Sequence, residues 1–427
     1  MSGTGAVHRW SLGGLAVAYL GLNVLGPARF VARRGGDFQH YLASARALLG
    51  GQTPYVLEKW DYPPLVSFLL LPLTPLSDAA AWWTWFAINQ LCVLFAAAWT
   101  WRALAAGPHA AVAVALAWSA GHALASSFEQ GQINGLLLAL VVLVFWPPRR
   151  FAWAAPAALG LAFALKVWPG VLWLADVAAR RWRRLVVGVA VGAALVVVPL
   201  GVLAVFYEGP LRPHHPHYWL GTPAFLNASL PAVALRLRDP PTAGERLPHN
   251  WLEGNQTELL RLTPRDRALS VAVSSIALGA GAAWLLWRTR RRRNLEPWRV
   301  PAAIVALALV AAPISWPHYP VLQLPGTAVL GLDLWQRRRR WTLAALAGCL
   351  FVVNWTEAIV VGPYVAIYGI VAHQPAVTWA ITTLPAVAGL GLFLLHATAL
   401  GAQSRGRETW GLPASTKRRG HDAASPA

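Results

Sequence analysis

The sequence predicts an all-α polytopic membrane protein, and three observations carry that prediction. Hydrophobic residues make up 56% of the 427-residue chain and charged residues only 12%, too few to coat a water-soluble surface. Apolar stretches long enough to cross a hydrocarbon layer of about 30 Å recur from residue 9 to residue 400. Lys and Arg cluster at intervals between these stretches, as they do in the cytoplasmic loops of membrane proteins.

The basic clusters set the orientation. Arg9, Arg102, Arg149-Arg150, Arg180 to Arg184, Arg288 to Arg299, Arg337 to Arg340 and the basic tail from Arg405 are placed on the cytoplasmic side. The formal charge of +19 then records orientation, and no nucleic-acid partner is expected. About twelve helical passes follow, with both termini cytoplasmic. They fall at 9–29, 79–101, 108–126, 132–147, 153–166, 168–178, 185–206, 268–287, 300–316, 319–335, 341–361 and 376–399. The first stretch has no small-residue cleavage site and many spans follow it, so it is a retained helix and not a signal peptide. Residues 1–400 form one transmembrane unit with large outer loops at 30–78 and 207–267. Within the first loop, helical segments are expected near 39–49 and 65–76. The polar, basic stretch 401–427 is expected to be a disordered cytoplasmic tail.

One pair of passes must be a hairpin. Arg149-Arg150 and Arg180 to Arg184 both belong inside, yet the apolar stretch between them is too short to cross and return. A turn near Lys166-Val167-Trp168-Pro169 solves this, because Pro169 disfavours helix at the residue before it. Each arm would be about 12 residues, or about 19 Å, and would stop within the bilayer. Unpaired backbone cannot face lipid, so the turn and Lys166 are expected inside the protein, in a polar cavity.

With this topology the unusual polar residues gather on the outer side. They are Asp37, the Glu129-Gln130-Gly131-Gln132-Ile133-Asn134 turn, Lys166, Asn227 with Arg236, and Ser315-Trp316-Pro317-His318. Ionisable groups at membrane depth are costly and usually functional. Structural roles are also open to them: Asp37 as a helix cap, Gln132 and Asn134 at a helix terminus, Lys166 reaching toward the interface. The 24 tryptophans read mostly as interface anchors, and Cys92 and Cys349 as small hydrophobes. No metal-ligand cluster of recognisable spacing and no glycine-rich nucleotide loop occurs, so neither a metal nor another cofactor is expected.

The set suits glycosyl transfer from a lipid-phosphate sugar. A carboxylate can take the proton of an acceptor hydroxyl as it attacks the anomeric carbon. The leaving phosphate carries negative charge, which Lys166, Arg236 or a protonated His318 could neutralise. A polyprenyl tail would need an apolar groove among helices.

Six stretches in order carry a family resemblance. They are Gly36-Asp37-Phe38-Gln39-His40-Tyr41 with Ala47 to Tyr55; Tyr62-Pro63-Pro64-Leu65; Gln130-Gly131-Gln132-Ile133-Asn134; Ala164-Leu165-Lys166-Val167-Trp168-Pro169; Asn227-Ala228-Ser229-Leu230 with Arg236; and Pro313-Ile314-Ser315-Trp316-Pro317-His318. On these the chain resembles glycosyltransferase family 87, the polyprenol-phosphate-mannose-dependent α-mannosyltransferases of the membrane GT-C class. The resemblance implies a GT-C-type architecture, an aspartate base at Asp37 and a functional histidine at His318. Substrate contacts are expected from Lys166, Arg236, Gln132, Asn134, Asn227, Tyr62, Trp316 and Tyr41. The chain departs from the family pattern with Tyr319 after His318, Pro317 before it, and Ala228 between Asn227 and Ser229.

The expected partners are a polyprenyl-phosphate sugar donor, a lipid-linked or glycan acceptor of the cell envelope, and membrane lipids. The Ala/Arg-rich composition points to a bacterial plasma membrane, with the site facing outward. Three rivals stand beside this reading, one of them a non-catalytic assembly subunit for which loss of Asp37 would be harmless. A pentose transferase would share these motifs. A lipid-linked-sugar flippase would spread its ionisable groups through the membrane instead of gathering them at one face.

Overall fold

The computed structural model describes residues 3–29, 36–57, 60–104, 107–119, 121–148, 150–151, 153–213, 227–238, 263–290, 298–312, 315, 318–371 and 375–400. The expected tail 401–427 and most of the loop 207–267 lie outside the described residues, as does Trp316.

Among the described residues the fold is helical, with one isolated bridge between Gln52 and Glu208. The helices are α1 Gly3–Tyr19, α2 Gly36–Leu49, α3 Leu65–Leu70, α4 Asp78–Ala103, α5 Pro108–Ser119 and α6 His122–Glu129. They continue as α7 Asn134–Phe145, α8 Ala154–Leu165, α9 Trp173–Ala178, α10 Trp182–Phe206 and α11 Leu230–Arg238. The last five are α12 Pro264–Arg290, α13 Arg299–Ala311, α14 Leu324–Gln336, α15 Arg340–Val371 and α16 Pro375–Ala399. Each stretch expected to be a pass contains helix.

Length divides them. Four described helical stretches are long and apolar enough to cross a membrane alone: Ser11–Ala28, Asp78–Ala103, Trp182–Phe206 and Pro264–Arg290. Others are shorter and more enclosed. Every residue of α13 is buried, and so is nearly all of α7. Such helices sit inside the bundle, where extended or 3₁₀ segments can complete their path because protein, not lipid, surrounds the backbone. By contrast, α10 turns Val186, Val197, Val198, Val205 and Phe206 outward. That surface suits a lipid solvent.

The expected single span 108–126 is two helices, α5 and α6, bent by 50°. Gly121 lies between them in an extended conformation. The Asn354 side chain presses against it, so that a Cβ there would approach Asn354 Oδ1 to 3.2 Å. The contact with α15 leaves little room for a side chain at the bend.

The chain does reverse at Lys166. Helix α8 ends at Leu165, Lys166 is extended, and a 3₁₀ segment Trp168–Leu172 leads into α9. Phe163 and Trp173 face each other across the turn, with ring centroids 4.9 Å apart. Helix α8 packs on α10 through glycines. A Cβ on Gly160 would lie 2.7 Å from the Gly188 carbonyl oxygen and 2.8 Å from the Gly192 nitrogen. Small residues four apart let two backbones touch in this way.

The bundle has two chemically distinct ends. At one, Asp333 pairs with Arg337 at 2.9 Å and Arg299 at 3.9 Å, and Asp176 pairs with Arg184 at 3.3 Å. Also there, the Trp99 indole donates to the Trp146 carbonyl at 3.0 Å. The other end carries α2, the turn after α6, the turn at Lys166 and the segment around His318. The loop after α2 at that end is tied to the exit of α10 by Thr53 N–H to Glu208 O, 2.8 Å, and Glu208 N–H to Gly51 O, 2.9 Å.

Candidate active site

The site is assembled on the turn between α6 and α7. Gly131 has φ +64, and a Cβ there would fall 2.5 Å from Phe38 Cβ, so only glycine permits the fit. The Trp85 indole from α4 fixes this turn by donating to Gly131 O at 2.8 Å. Gln130 O accepts the N–H groups of both Asp37 and Phe38, at 3.1 and 3.2 Å. The N-terminus of α2 is thereby docked on the turn, with Asp37 in its first turn, where the helix dipole favours a carboxylate.

Gln132 is buried and connects the rest. Its Nε2 donates to Asp37 Oδ2. Its Oε1 accepts from Lys166 Nζ at 3.2 Å, Tyr41 OH at 3.2 Å and Tyr62 OH at 3.4 Å. The amide can face only one way. Reversed, it would turn two N–H donors toward an ammonium and turn its oxygen toward a carboxylate.

Lys166 is buried, 2% exposed, which is affordable only with this many partners. Its Nζ also reaches Asn134 Oδ1 at 3.5 Å and lies 4.3 Å from the Tyr319 ring centroid and 5.6 Å from that of Tyr62. Tyr41 and Tyr62 meet edge to face at 4.9 Å, with Trp60 behind them. Asp37 itself remains partly exposed.

Asn134 Nδ2 donates to the His318 carbonyl at 3.3 Å, which brings the segment before α14 against the turn. The His318 ring is buried and packs on Tyr319 at 5.0 Å. A second polar group adjoins it in sequence. Arg236 donates from Nη1 and Nη2 to Asn227 O at 3.2 and 3.3 Å, and Asn227 Oδ1 accepts from Ser315 N at 2.8 Å. Thus Asp37, Tyr41, Tyr62, Gln132, Asn134, Lys166 and His318 form one network, and Arg236 with Asn227 forms a neighbouring one.

Electrostatics follows from the enclosure. Burial pushes the Asp37 carboxyl up to about 6, while the nearby Lys166 ammonium acts in the opposite direction. Burial, reinforced by Lys166, holds the His318 imidazole well below its usual range, so it is neutral at neutral pH. The protonated imidazole considered from sequence would need the charge of a bound phosphate to form. Together the site offers a base of raised pKa at a partly open position and an enclosed ammonium linked to it by one carboxamide.

Sequence reasoning overlooked Tyr319 as the closest ring to Lys166 and Trp85 as the clamp on Gly131. The only signal for Tyr319 was its place beside His318. For Trp85, nothing distinguished it from the other tryptophans of α4.

The chain is similar to known proteins along most of its length. The chain is 30% identical over 379 residues, 81% of either protein, to the polyprenol-phosphate-mannose-dependent alpha-(1-2)-phosphatidylinositol mannoside mannosyltransferase of Mycobacterium tuberculosis. It is 26% identical over 356 residues, 75% of either protein, to the protein of the same description from Mycolicibacterium smegmatis. A polyprenol-phosphate-mannose-dependent alpha-(1-2)-phosphatidylinositol pentamannoside mannosyltransferase of that organism is 26% identical over 304 residues, 68% of this chain and 67% of its own. The model of glycosyltransferase family 87 matches residues 60–313, more than half of the sequence and including the Gln132 turn, Lys166 and Arg236. On this family match and these identities the chain belongs to glycosyltransferase family 87, and its apolar helices are those of a membrane glycosyltransferase.

Proposed function

We propose that this enzyme transfers mannose from a polyprenol-phosphate donor to a lipid-linked acceptor of the phosphatidylinositol mannoside class. The observation that supports it best is the Asp37–Gln132–Lys166 bridge, which holds a base and a cation on one carboxamide. The acceptor hydroxyl oxygen attacks the anomeric carbon and the carbon–oxygen bond to phosphate breaks. The hydroxyl proton passes to the Asp37 carboxylate, and the polyprenyl phosphate departs with the bonding pair. A β-linked donor then yields an α-linked product by inversion. Asp37 is the general base. Lys166 and Arg236 bind the phosphate, and the neutral His318 ring donates a hydrogen bond to it as negative charge accumulates. Gln132 and Asn134 orient Asp37, Lys166 and the His318 segment; Tyr41, Tyr62 and Trp316 border the sugar; Asn227 holds Arg236.

The same reading gives the topology. About twelve helical passes have both termini cytoplasmic, and the basic end of the bundle is the inner one. The site faces the outside of a bacterial plasma membrane, at the foot of the large first loop. The relatives' described donor and acceptor support this chemistry.

The test is reconstitution. Purified enzyme in nanodiscs should move mannose from polyprenyl-phosphate mannose to a phosphatidylinositol mannoside and give an α-linked product. Asp37→Asn should abolish this. Transfer of arabinose instead of mannose, or wild-type rates from Asp37→Asn, would overturn the proposal.

A further inference from the structure

We propose that Tyr319 is a positioning residue of the transfer reaction, the face of its ring holding the Lys166 ammonium ready for the donor phosphate. This rests on the phosphate-binding role proposed for Lys166 above and adds the group that maintains it. Lys166 Nζ lies 4.3 Å from the Tyr319 ring centroid, closer than the 5.6 Å to that of Tyr62. Its hydrogen-bond acceptors are two carboxamide oxygens, Gln132 Oε1 at 3.2 Å and Asn134 Oδ1 at 3.5 Å. An ammonium carries three N–H donors, so one remains for a ligand. With Lys166 only 2% exposed, the water lost around its charge must be compensated. The negative face of an aromatic ring supplies this through its quadrupole, most strongly where water is excluded. Unlike a carboxylate, the ring adds no charge of its own. The full positive charge of Lys166 therefore stays available to a phosphate.

The fold fixes this ring through several contacts. Lys166 and Trp168 stand two residues apart on the reversal after α8, and both meet Tyr319; the Trp168 and Tyr319 rings stack at 6.1 Å and 19°. His318 meets the same ring edge-on at 5.0 Å and 71°. Tyr319 opens the 3₁₀ segment Tyr319–Gln323, where Pro320 restricts the backbone. Asn134 accepts from Lys166 through Oδ1 and donates to His318 O through Nδ2, so one side chain sets both the ammonium and the segment that presents the ring.

The ionisable groups that face Lys166 are Asp37 and Tyr41 of α2, Tyr62, His318 and Tyr319. Asp37 governs the acid limb of activity, and the His318 imidazole is neutral. Burial holds the Tyr41 and Tyr62 phenols above their ordinary range. The alkaline limb then belongs to Lys166, which must be protonated to bind the phosphate. Loss of a group that favours its charged form moves that limb to lower pH.

The test uses full-length enzyme in nanodiscs with polyprenyl-phosphate mannose and a phosphatidylinositol mannoside, and follows kcat/KM for the donor across the alkaline range. Tyr319→Leu removes the ring face. KM for the donor should rise about tenfold and the alkaline limb should move down by about one pH unit, the size of a desolvated cation–π contact. Tyr319→Phe keeps the ring and should return the limb to its wild-type position. A limb that neither variant moves, or that both move equally, overturns the assignment while mannosyl transfer by the unmodified enzyme stands. If the unmodified enzyme does not use this donor, the functional reading fails and the assignment falls with it. Should Tyr319→Leu not fold, increasingly fluorinated phenylalanines at position 319 keep the shape of the ring and drain its negative face. The alkaline limb should step down with each added fluorine, and a limb that stays in place overturns the assignment.

Discussion

Asp37 and Lys166 are held by opposite ends of one carboxamide. Gln132 gives its N–H to the acid and its oxygen to the ammonium, and the same oxygen accepts Tyr41 and Tyr62. A direct ion pair would spend both charges on each other. A neutral linker keeps them oriented and leaves Asp37 partly open.

Gln132 is therefore a positioning residue, and its loss should read out through Asp37. Gln132→Ala removes the donor that stabilises the carboxylate and takes one acceptor from Lys166, Tyr41 and Tyr62. Transfer should fall about a hundredfold, as expected from misplacing a reacting group. The acid limb of the kcat/KM–pH profile should move to higher pH, because the ionised form of Asp37 has lost a hydrogen bond. Gln132→Glu should move it further, since a second carboxylate repels the first. A role in packing alone would lower activity with no movement of that limb.

Asp37 itself sets the pH range. Its carboxyl is raised by burial from the ordinary value of 3.8 to about 6. A base must be deprotonated to act, so activity is complete above that value and declines as pH falls through it, tenfold per unit. An ordinary surface aspartate would hold its activity down to about pH 4. Steady-state rates between pH 4.5 and 8 separate these cases. Asp37→Asn should lose about 10²–10⁴ in rate and retain no acid limb in what remains.

The stability of the hairpin rests on Gly160. Its Cβ position is occupied by the backbone of Gly188 and Gly192, which cannot yield as a side-chain tip can. Gly160→Leu should cost about 1–3 kcal/mol, lower the thermal midpoint in detergent, and displace Lys166 at the end of the same helix. Thermal unfolding and transfer rate should fall together. Gly201 in α10, whose Cβ would meet nothing within 4 Å, is the control: Gly201→Ala should be silent or slightly stabilising.

Much of this was legible in the sequence, for definable reasons. Helical stretches could be read because apolar length and Pro and Gly positions are local properties. The reversal at Lys166 was readable because two basic clusters had to share a side and Pro169 marked the turn. The break at Gly121 was not, because the apolar pattern runs on through 108–126 and the Asn354 contact comes from distant α15. Nor was the centrality of Gln132. Its type and neighbours fit a helix terminus equally well, and only the approach of α2, Tyr62 and Lys166 makes it a junction. Pass number was the least legible, because a helix enclosed by protein, such as α13, need not have the length or pattern of one facing lipid.

Orientation can be decided with two exposed positions. Leu49 closes α2 at the site end and is 66% exposed; Trp341 opens α15 at the basic end and is 90% exposed. In a background where Cys92 and Cys349 are changed to Ala, Leu49→Cys and Trp341→Cys each give one reactive thiol. If the basic end is cytoplasmic, a membrane-impermeant maleimide on intact cells labels Leu49→Cys and leaves Trp341→Cys unmodified until the membrane is opened. The physical reason is the retention of Lys and Arg on the cytoplasmic side during insertion. The opposite labelling would place Asp37 inside. The donor would then have to be used on the cytoplasmic leaflet, and the Arg337 to Arg340 cluster would need a different explanation, such as capture of anionic lipid.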